Sequence, residues 1–184
     1  ALQICEEQGS HFIHPFDDLS VIAGQATIGH DILKDLPNVD IVFIPAGGGG
    51  LLAGVSFYLK HINPRIRIIG VQAAGAAAIE KSFKAKKLCS IDTMSTIADG
   101  IAVKTPGTLT VELINKYVDD VMTVSDAEIS SVILNLMERC KQVVEPAGAV
   151  SLAAALSCAS STPMQRDWSA NSSPLQSLSA SSTC

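Results

Sequence analysis

Four consecutive glycines, Gly47-Gly48-Gly49-Gly50, stand between the apolar run Ile41-Val42-Phe43-Ile44-Pro45 and a second apolar stretch that opens with Leu51-Leu52-Ala53-Gly54. Glycine has no Cβ to obstruct positive φ or close backbone approach. A strand, a glycine turn and a helix start therefore present bare N–H groups at the positive end of a helix. Such a turn is a cradle for phosphate.

The neighbouring residues narrow the choice of phosphate. A flexible linker has no reason to sit between a β-branched strand and an apolar helix. Gly48-Gly49-Gly50-Leu51-Leu52-Ala53 formally matches the dinucleotide pattern G-x-G-x-x-A. The acidic residue that should close the next strand and hold a ribose is, however, replaced by Gln72. No Gly-Lys-Ser/Thr follows, so the nucleoside-triphosphate loop is absent. A single monophosphate, such as that of pyridoxal phosphate, needs only the several amides that four glycines offer at once.

The elements that must hold this loop follow from apolar patterning. A strand at 41–45, a helix over about 51–62 ended by Asn63-Pro64, and a strand at 66–71 form a right-handed crossover. That places the glycines at the carboxyl edge of a parallel sheet, where ligands bind in open α/β folds. A further strand is predicted at 121–124, and helices at 1–8, 21–33, 76–85 and 109–118. Asp17-Asp18 complement the dipole of the 21–33 helix. Ser125 and Glu128 satisfy a capping box that opens a helix running to about residue 144. Another helix starts at Glu145, with Val150, Leu152, Ala153 and Leu156 on its buried side. His11-Phe12-Ile13-His14 reads as a strand stopped by Pro15, with His14 making an ordinary hydrogen bond. Residues 96–103 read as a loop entering a short extended piece. The small residues Ala23, Gly24, Ala26 and Gly29 let a neighbouring element approach closely.

Composition agrees with this class. At 47% hydrophobic, 17% charged and 4% aromatic, the core must be Ala, Val, Ile and Leu, which suits a parallel sheet with helices on both faces. A net charge of −5 gives no basic footprint for nucleic acid or for an anionic membrane, and favours a small neutral or zwitterionic substrate. Cys5, Cys89, Cys140, Cys158 and Cys184 form no C-x-x-C pair and no metal-ligand spacing, as in a reducing cytoplasm. No signal-peptide pattern or membrane-length apolar run is present. The chain opens on Ala rather than Met, pointing to a start inside a longer protein. Ten of the last 28 residues are serine, so 157–184 is expected to be a disordered tail.

Five segments occur in order: Val21-Ile22-Ala23-Gly24-Gln25-Ala26-Thr27, Pro45 to Gly54, Ile97-Ala98-Asp99-Gly100, Val118-Asp119-Asp120 and Val144-Glu145-Pro146-Ala147-Gly148-Ala149. Together they closely resemble the threonine dehydratases (threonine ammonia-lyases), with the related serine dehydratases and serine racemases, which share the tryptophan-synthase-β-like fold. The resemblance spans residues 1 to about 156. It implies a fold-type II enzyme of pyridoxal 5'-phosphate, with an open, mostly parallel α/β sheet flanked by helices on both faces. Residues 1–18 would end the smaller domain, and 19–156 would form an incomplete larger cofactor-binding domain.

The resemblance also implies roles. Gly47, Gly48, Gly49, Gly50 and Leu51 look like the cofactor-phosphate loop. Gly100 resembles the position whose bare backbone lies against one face of the pyridine ring, and Glu145 the glutamate near the cofactor's edge. The implied reaction is α,β-elimination of L-threonine to 2-oxobutanoate and ammonia, in isoleucine biosynthesis or threonine catabolism, in a cytoplasmic homo-oligomer. The family's Schiff-base lysine lies in a Ser-x-Lys-x-Arg-Gly-Ala type motif that none of this chain's lysines shares, so these residues alone are expected to be inactive. The Ser-Gly-Gly-Asn strand that binds the pyridine nitrogen is replaced by the serine-rich stretch. Racemases of the family bind a divalent metal through an acidic pair matched here by Gln72 and Ala78, which favours a dehydratase.

Overall fold

The computed structural model describes residues 2–161. Three strands, β1 (Ile41–Pro45), β2 (Arg67–Ala73) and β3 (Asp120–Val124), form a parallel sheet in the order β1-β2-β3. Ile41 pairs with Arg67 and Pro45 with Val71, while Ile69 pairs with Asp120 and Ala73 with Val124. The helices are α1 (Leu2–Gln8), α2 (Leu19–Asp35), α3 (Gly50–Ile62), α4 (Ala78–Ala85), α5 (Thr108–Tyr117), α6 (Asp126–Asn135) and α7 (Pro146–Ser161).

Alternation along the strands divides the core into two layers. Val42, Ile44, Ile68 and Val121 pack against Ile22 of α2, Leu52, Val55 and Leu59 of α3, and Val111 and Ile114 of α5. On the opposite face Val71, Ala73 and Val124 meet Ile129 and Val132 of α6 and Ala149, Val150, Ala153 and Ala154 of α7. The sheet is thus covered on both sides, as its unbroken apolar strands require. Leu52 and Leu59 are fully buried, each contributing about 1.5–3 kcal/mol from lost water contact.

Asp119 fixes the sheet's second seam. Its Oδ2 accepts from the Ile68 amide at 2.7 Å, its own amide donates to the Ile68 carbonyl, and its carboxylate pairs with Lys60 Nζ at 2.7 Å. Lys60 also donates to the Ile66 carbonyl at 2.7 Å, tying the end of α3 to the start of β2. Burial alone would raise the Asp119 carboxyl, but the Lys60 and Ile68 hydrogen bonds and the charges of Lys60 and Arg67 outweigh it and hold it below its ordinary value.

Five sequence expectations change. Residues 11–14 form no strand: Pro15 follows, and His14 Nδ1 accepts the amides of Phe16 and Asp17 at 3.3 and 2.9 Å. Residues 96–103 hold no strand; Asp99–Ile101 is a 3-10 turn, pinned upstream by Asp126, which accepts the Thr96 hydroxyl and the Ile97 amide. The helix expected to reach residue 144 stops at Asn135 and continues only as a π-helical turn, Leu136–Cys140, closed by Lys141 in the left-handed region at φ 58°. In α7 the buried stripe is Ala149, Val150, Ala153 and Ala154, whereas Leu152 and Leu156 face outward. Small side chains let α7 lie close to the strands. The helix also runs to Ser161, past the expected boundary at 156, and the remainder of the serine-rich stretch lies outside the described residues.

The Asp119 carboxyl makes stability depend on pH. Its folded-state value lies below the unfolded one, so the contribution is complete above about pH 4 and is lost as pH falls through the lower, folded value. The side chain is 36% exposed, so solvent screens the pair and the effect is modest. Asp119→Asn should lower stability at neutral pH and flatten the acid limb of a denaturation-versus-pH curve. An unchanged slope below about pH 4 contradicts this assignment.

Candidate functional site

The glycine turn sits where β1 leaves the sheet. The Ala46 amide donates to the Val71 carbonyl at 2.9 Å and Gln72 Nε2 donates to the Ala46 carbonyl at 3.0 Å, so Ala46 is fastened on both sides before the turn begins. Gly49 then takes φ 100°, a conformation that favours glycine, and α3 starts at Gly50. The amides of Gly47, Gly48, Gly49, Gly50 and Leu51 donate to no backbone acceptor among the described residues. These five residues line a cavity of about 350 Å³ together with Pro15, Phe16, Gln25, Gly100 and Ile101.

Comparison of the helix starts shows what is unusual here. Asp18 accepts the Ser20 and Val21 amides at the head of α2. Gln72 Oε1 accepts the Glu80 amide in the first turn of α4 at 2.9 Å. Asp17, more than ninety residues away in sequence, accepts the Thr108, Leu109 and Thr110 amides of α5 at 3.0, 2.9 and 3.2 Å. Ser125 and Glu128 form the full capping box of α6. Among the described residues, α3 is the one helix between α2 and α6 that begins with no side chain on its free amides. Its donors remain for a ligand, at the end of the helix that carries partial positive charge.

Residues invisible to motif reading hold the turn in place. A Cβ on Gly48 would run into the Phe16 ring, so that ring lies directly on the turn. The Gly48 carbonyl accepts from the Gly107 amide at 3.2 Å and from the Thr110 hydroxyl at 2.7 Å. Phe16, Asp17 and Thr110 therefore belong to the site. Asp17 was expected to serve the helix that follows it in sequence, but Asp18 does that and Asp17 serves α5. Only the tertiary fold distinguishes two adjacent aspartates in this way.

The structure brings Gly100 to the same cavity as Gly47 to Leu51. Glu145 stands behind Gly100: a Cβ built there would lie 3.5 Å from its Oε1 and 3.2 Å from the Ala147 Cβ. Glu145 is exposed and does not line the cavity; its carbonyl accepts the Gly148 amide at the start of α7. Unspent amides over a small, half-open cavity fit the phosphate end of pyridoxal phosphate.

Comparison with known proteins agrees. The family model described as pyridoxal-phosphate dependent enzyme matches residues 1–167. The L-threonine ammonia-lyase of Thermotoga maritima is 49% identical over 156 residues, covering 85% of this chain and 39% of that protein. The catabolic L-threonine dehydratase of Escherichia coli K12 is 46% identical over 155 residues, covering 84% and 47%. Among solved structures, a threonine deaminase from Solanum lycopersicum, the processed form of isoform 2, superposes with a TM-score of 0.81 at 38% identity, covering 83% of this chain and 45% of that one. Maize serine racemase superposes with a TM-score of 0.82 at 38% identity, covering 84% and 47%. The chain thus spans less than half the length of the curated relatives it matches.

The contact between Gly48 and Phe16 is directly testable. Gly48→Ala should cost about 1–3 kcal/mol of stability by overpacking, read from denaturant unfolding. In a Phe16→Ala background the same substitution should cost much less. Equal costs in both backgrounds would mean that the ring does not press on the turn.

Proposed function

This chain belongs to the family of pyridoxal-phosphate dependent enzymes, and from that premise we propose that it is the phosphate-holding part of a threonine ammonia-lyase. The proposed reaction of the whole enzyme is elimination of water from L-threonine, followed by hydrolysis to 2-oxobutanoate and ammonia. The relatives named threonine ammonia-lyase and threonine dehydratase support the substrate. The observation that carries the reading is the uncapped start of α3, whose amides open on the cavity.

Pyridoxal phosphate, when bound, supplies the electron sink that lets an amino acid lose its α-proton and β-hydroxyl. The chain's own residues bind and orient. The amides of Gly47, Gly48, Gly49, Gly50 and Leu51 would hold the phosphate oxygens. Gly100, with no side chain, would leave room for the flat ring close to the backbone, and Glu145, outside the cavity and behind Gly100, would stand near the ring's edge. Residues 1–18 close the smaller domain and 19–156 form part of the larger one. The enzyme acts in the cytoplasm as a homo-oligomer, in isoleucine biosynthesis or threonine catabolism. None of the described helices is long and apolar enough to cross a membrane.

Gln72 supports the lyase over a metal-dependent racemase. Both ends of its fully buried side chain are engaged, one by the Ala46 carbonyl and the other by the Glu80 amide. Its one oxygen already accepts the Glu80 amide, and a carboxamide carries no charge to attract an ion.

Two measurements test this function on the 184-residue chain. Pyridoxal phosphate should bind at least about tenfold more tightly than pyridoxal, because charge-assisted hydrogen bonds to the phosphate contribute about 1.5–3 kcal/mol or more. Equal affinity for the two would remove the phosphate from the account. Threonine should yield no 2-oxobutanoate, since no lysine here has the Schiff-base context; turnover by the purified chain would overturn that.

A further inference from the structure

The glycine turn has freedom that glycine itself cannot restrain. Gly48 and Gly49 flank one peptide, and neither has a Cβ to oppose rotation of that peptide plane. In a trans peptide the carbonyl and the N–H point in opposite directions. Whatever holds the Gly48 carbonyl therefore aims the Gly49 amide.

The Gly48 carbonyl is held from the α5 side, by the Gly107 amide at 3.2 Å and the Thr110 hydroxyl at 2.7 Å. Thr110 is fully buried, and its single hydroxyl proton is shared with a second acceptor, the Gly107 carbonyl at 3.0 Å, so the shorter bond goes to Gly48. No residue of α5 lines the cavity, which lies on the other side of the turn. With the carbonyl drawn toward α5, the amide faces away from it. Asp17 completes the clamp by holding the Thr108, Leu109 and Thr110 amides, which fixes the first turn of α5 and with it the hydroxyl.

We propose that Thr110 is a positioning residue for the phosphate site: its buried hydroxyl orients the Gly48–Gly49 peptide so that the Gly49 amide points at the phosphate, although Thr110 never touches it. This rests on the glycine turn being the phosphate site. Removing the hydroxyl while keeping the side chain's shape leaves the carbonyl with one long hydrogen bond and lets the peptide rotate.

The test titrates the 184-residue chain with pyridoxal phosphate and with inorganic phosphate, for the wild type, Thr110→Val, Thr110→Ser and the distant control Ser82→Ala. Ser82 is a buried hydroxyl of α4 bonded to the Ala78 and Cys89 backbone, so its loss destabilises without touching the turn. Thr110→Val should weaken both anions by about tenfold at temperatures where it is fully folded, the loss of one buried hydrogen bond. Thr110→Ser should bind within about threefold of the wild type, because the hydroxyl is kept. Ser82→Ala should bind as the wild type despite a lowered melting temperature. Thr110→Val binding as tightly as the wild type, or Ser82→Ala losing affinity in step with its stability, overturns the positioning role alone. A wild type that binds neither anion overturns the phosphate site itself.

A measurement on the wild type serves even if Thr110→Val fails to fold. The Gly49 amide resonance should shift and gain exchange protection on phosphate saturation, while the Gly107 amide, already bonded, should not. An unmoved Gly49 amide under saturation contradicts the proposal.

Discussion

A helix cannot satisfy its own first amides, and the rest of this structure depends on one helix being left in that state. Capping side chains close four of the helix starts between α2 and α6, and the amides of α3 remain open onto a cavity. Unsatisfied backbone donors are costly when water is excluded, so the opening is stable only if an acceptor fills it. An anion meets that need better than water because the helix dipole adds to the hydrogen bonds.

The contrast between α3 and α5 is the sharpest instance. Their starts are adjacent, joined through the Gly48 carbonyl, and both are anion sites in principle. Asp17 fills the α5 site from within the chain, with one carboxylate on three amides. With that internal carboxylate in place, the α3 start is the one of the two whose amides stay open. The sheet supplies the remaining constraint: Gln72 and Val71 hold Ala46, so β1 delivers the turn to a fixed place at the carboxyl edge.

Much of this was legible in the sequence where the physics is local. The β-branched runs at β1, β2 and β3 and the capping box at Ser125 and Glu128 depend on near neighbours, and the structure has all of them. The glycine run marked the turn because glycine is needed at φ 100° and under the Phe16 ring. Contacts that join distant parts left no such mark. Asp17 reaching α5, Thr110 reaching Gly48 and Phe16 lying on the turn could not be read from spacing, since each is decided by how two layers meet. The short apolar run at 11–14 had strand composition but no partner, and hydrogen bonding to the His14 ring won. In α7 Val150 and Ala153 are buried as expected, but close approach to the sheet puts Ala149 and Ala154 beside them in place of Leu152 and Leu156.

The most direct measurement is a crystal structure of the chain grown with pyridoxal phosphate. The open end of α3 predicts phosphoryl oxygens at about 2.9 Å from the amides of the Gly47 to Leu51 turn, with the Gly48 carbonyl still turned toward α5. Phosphate seated elsewhere, or a turn whose amides face away from a bound phosphate, would contradict it.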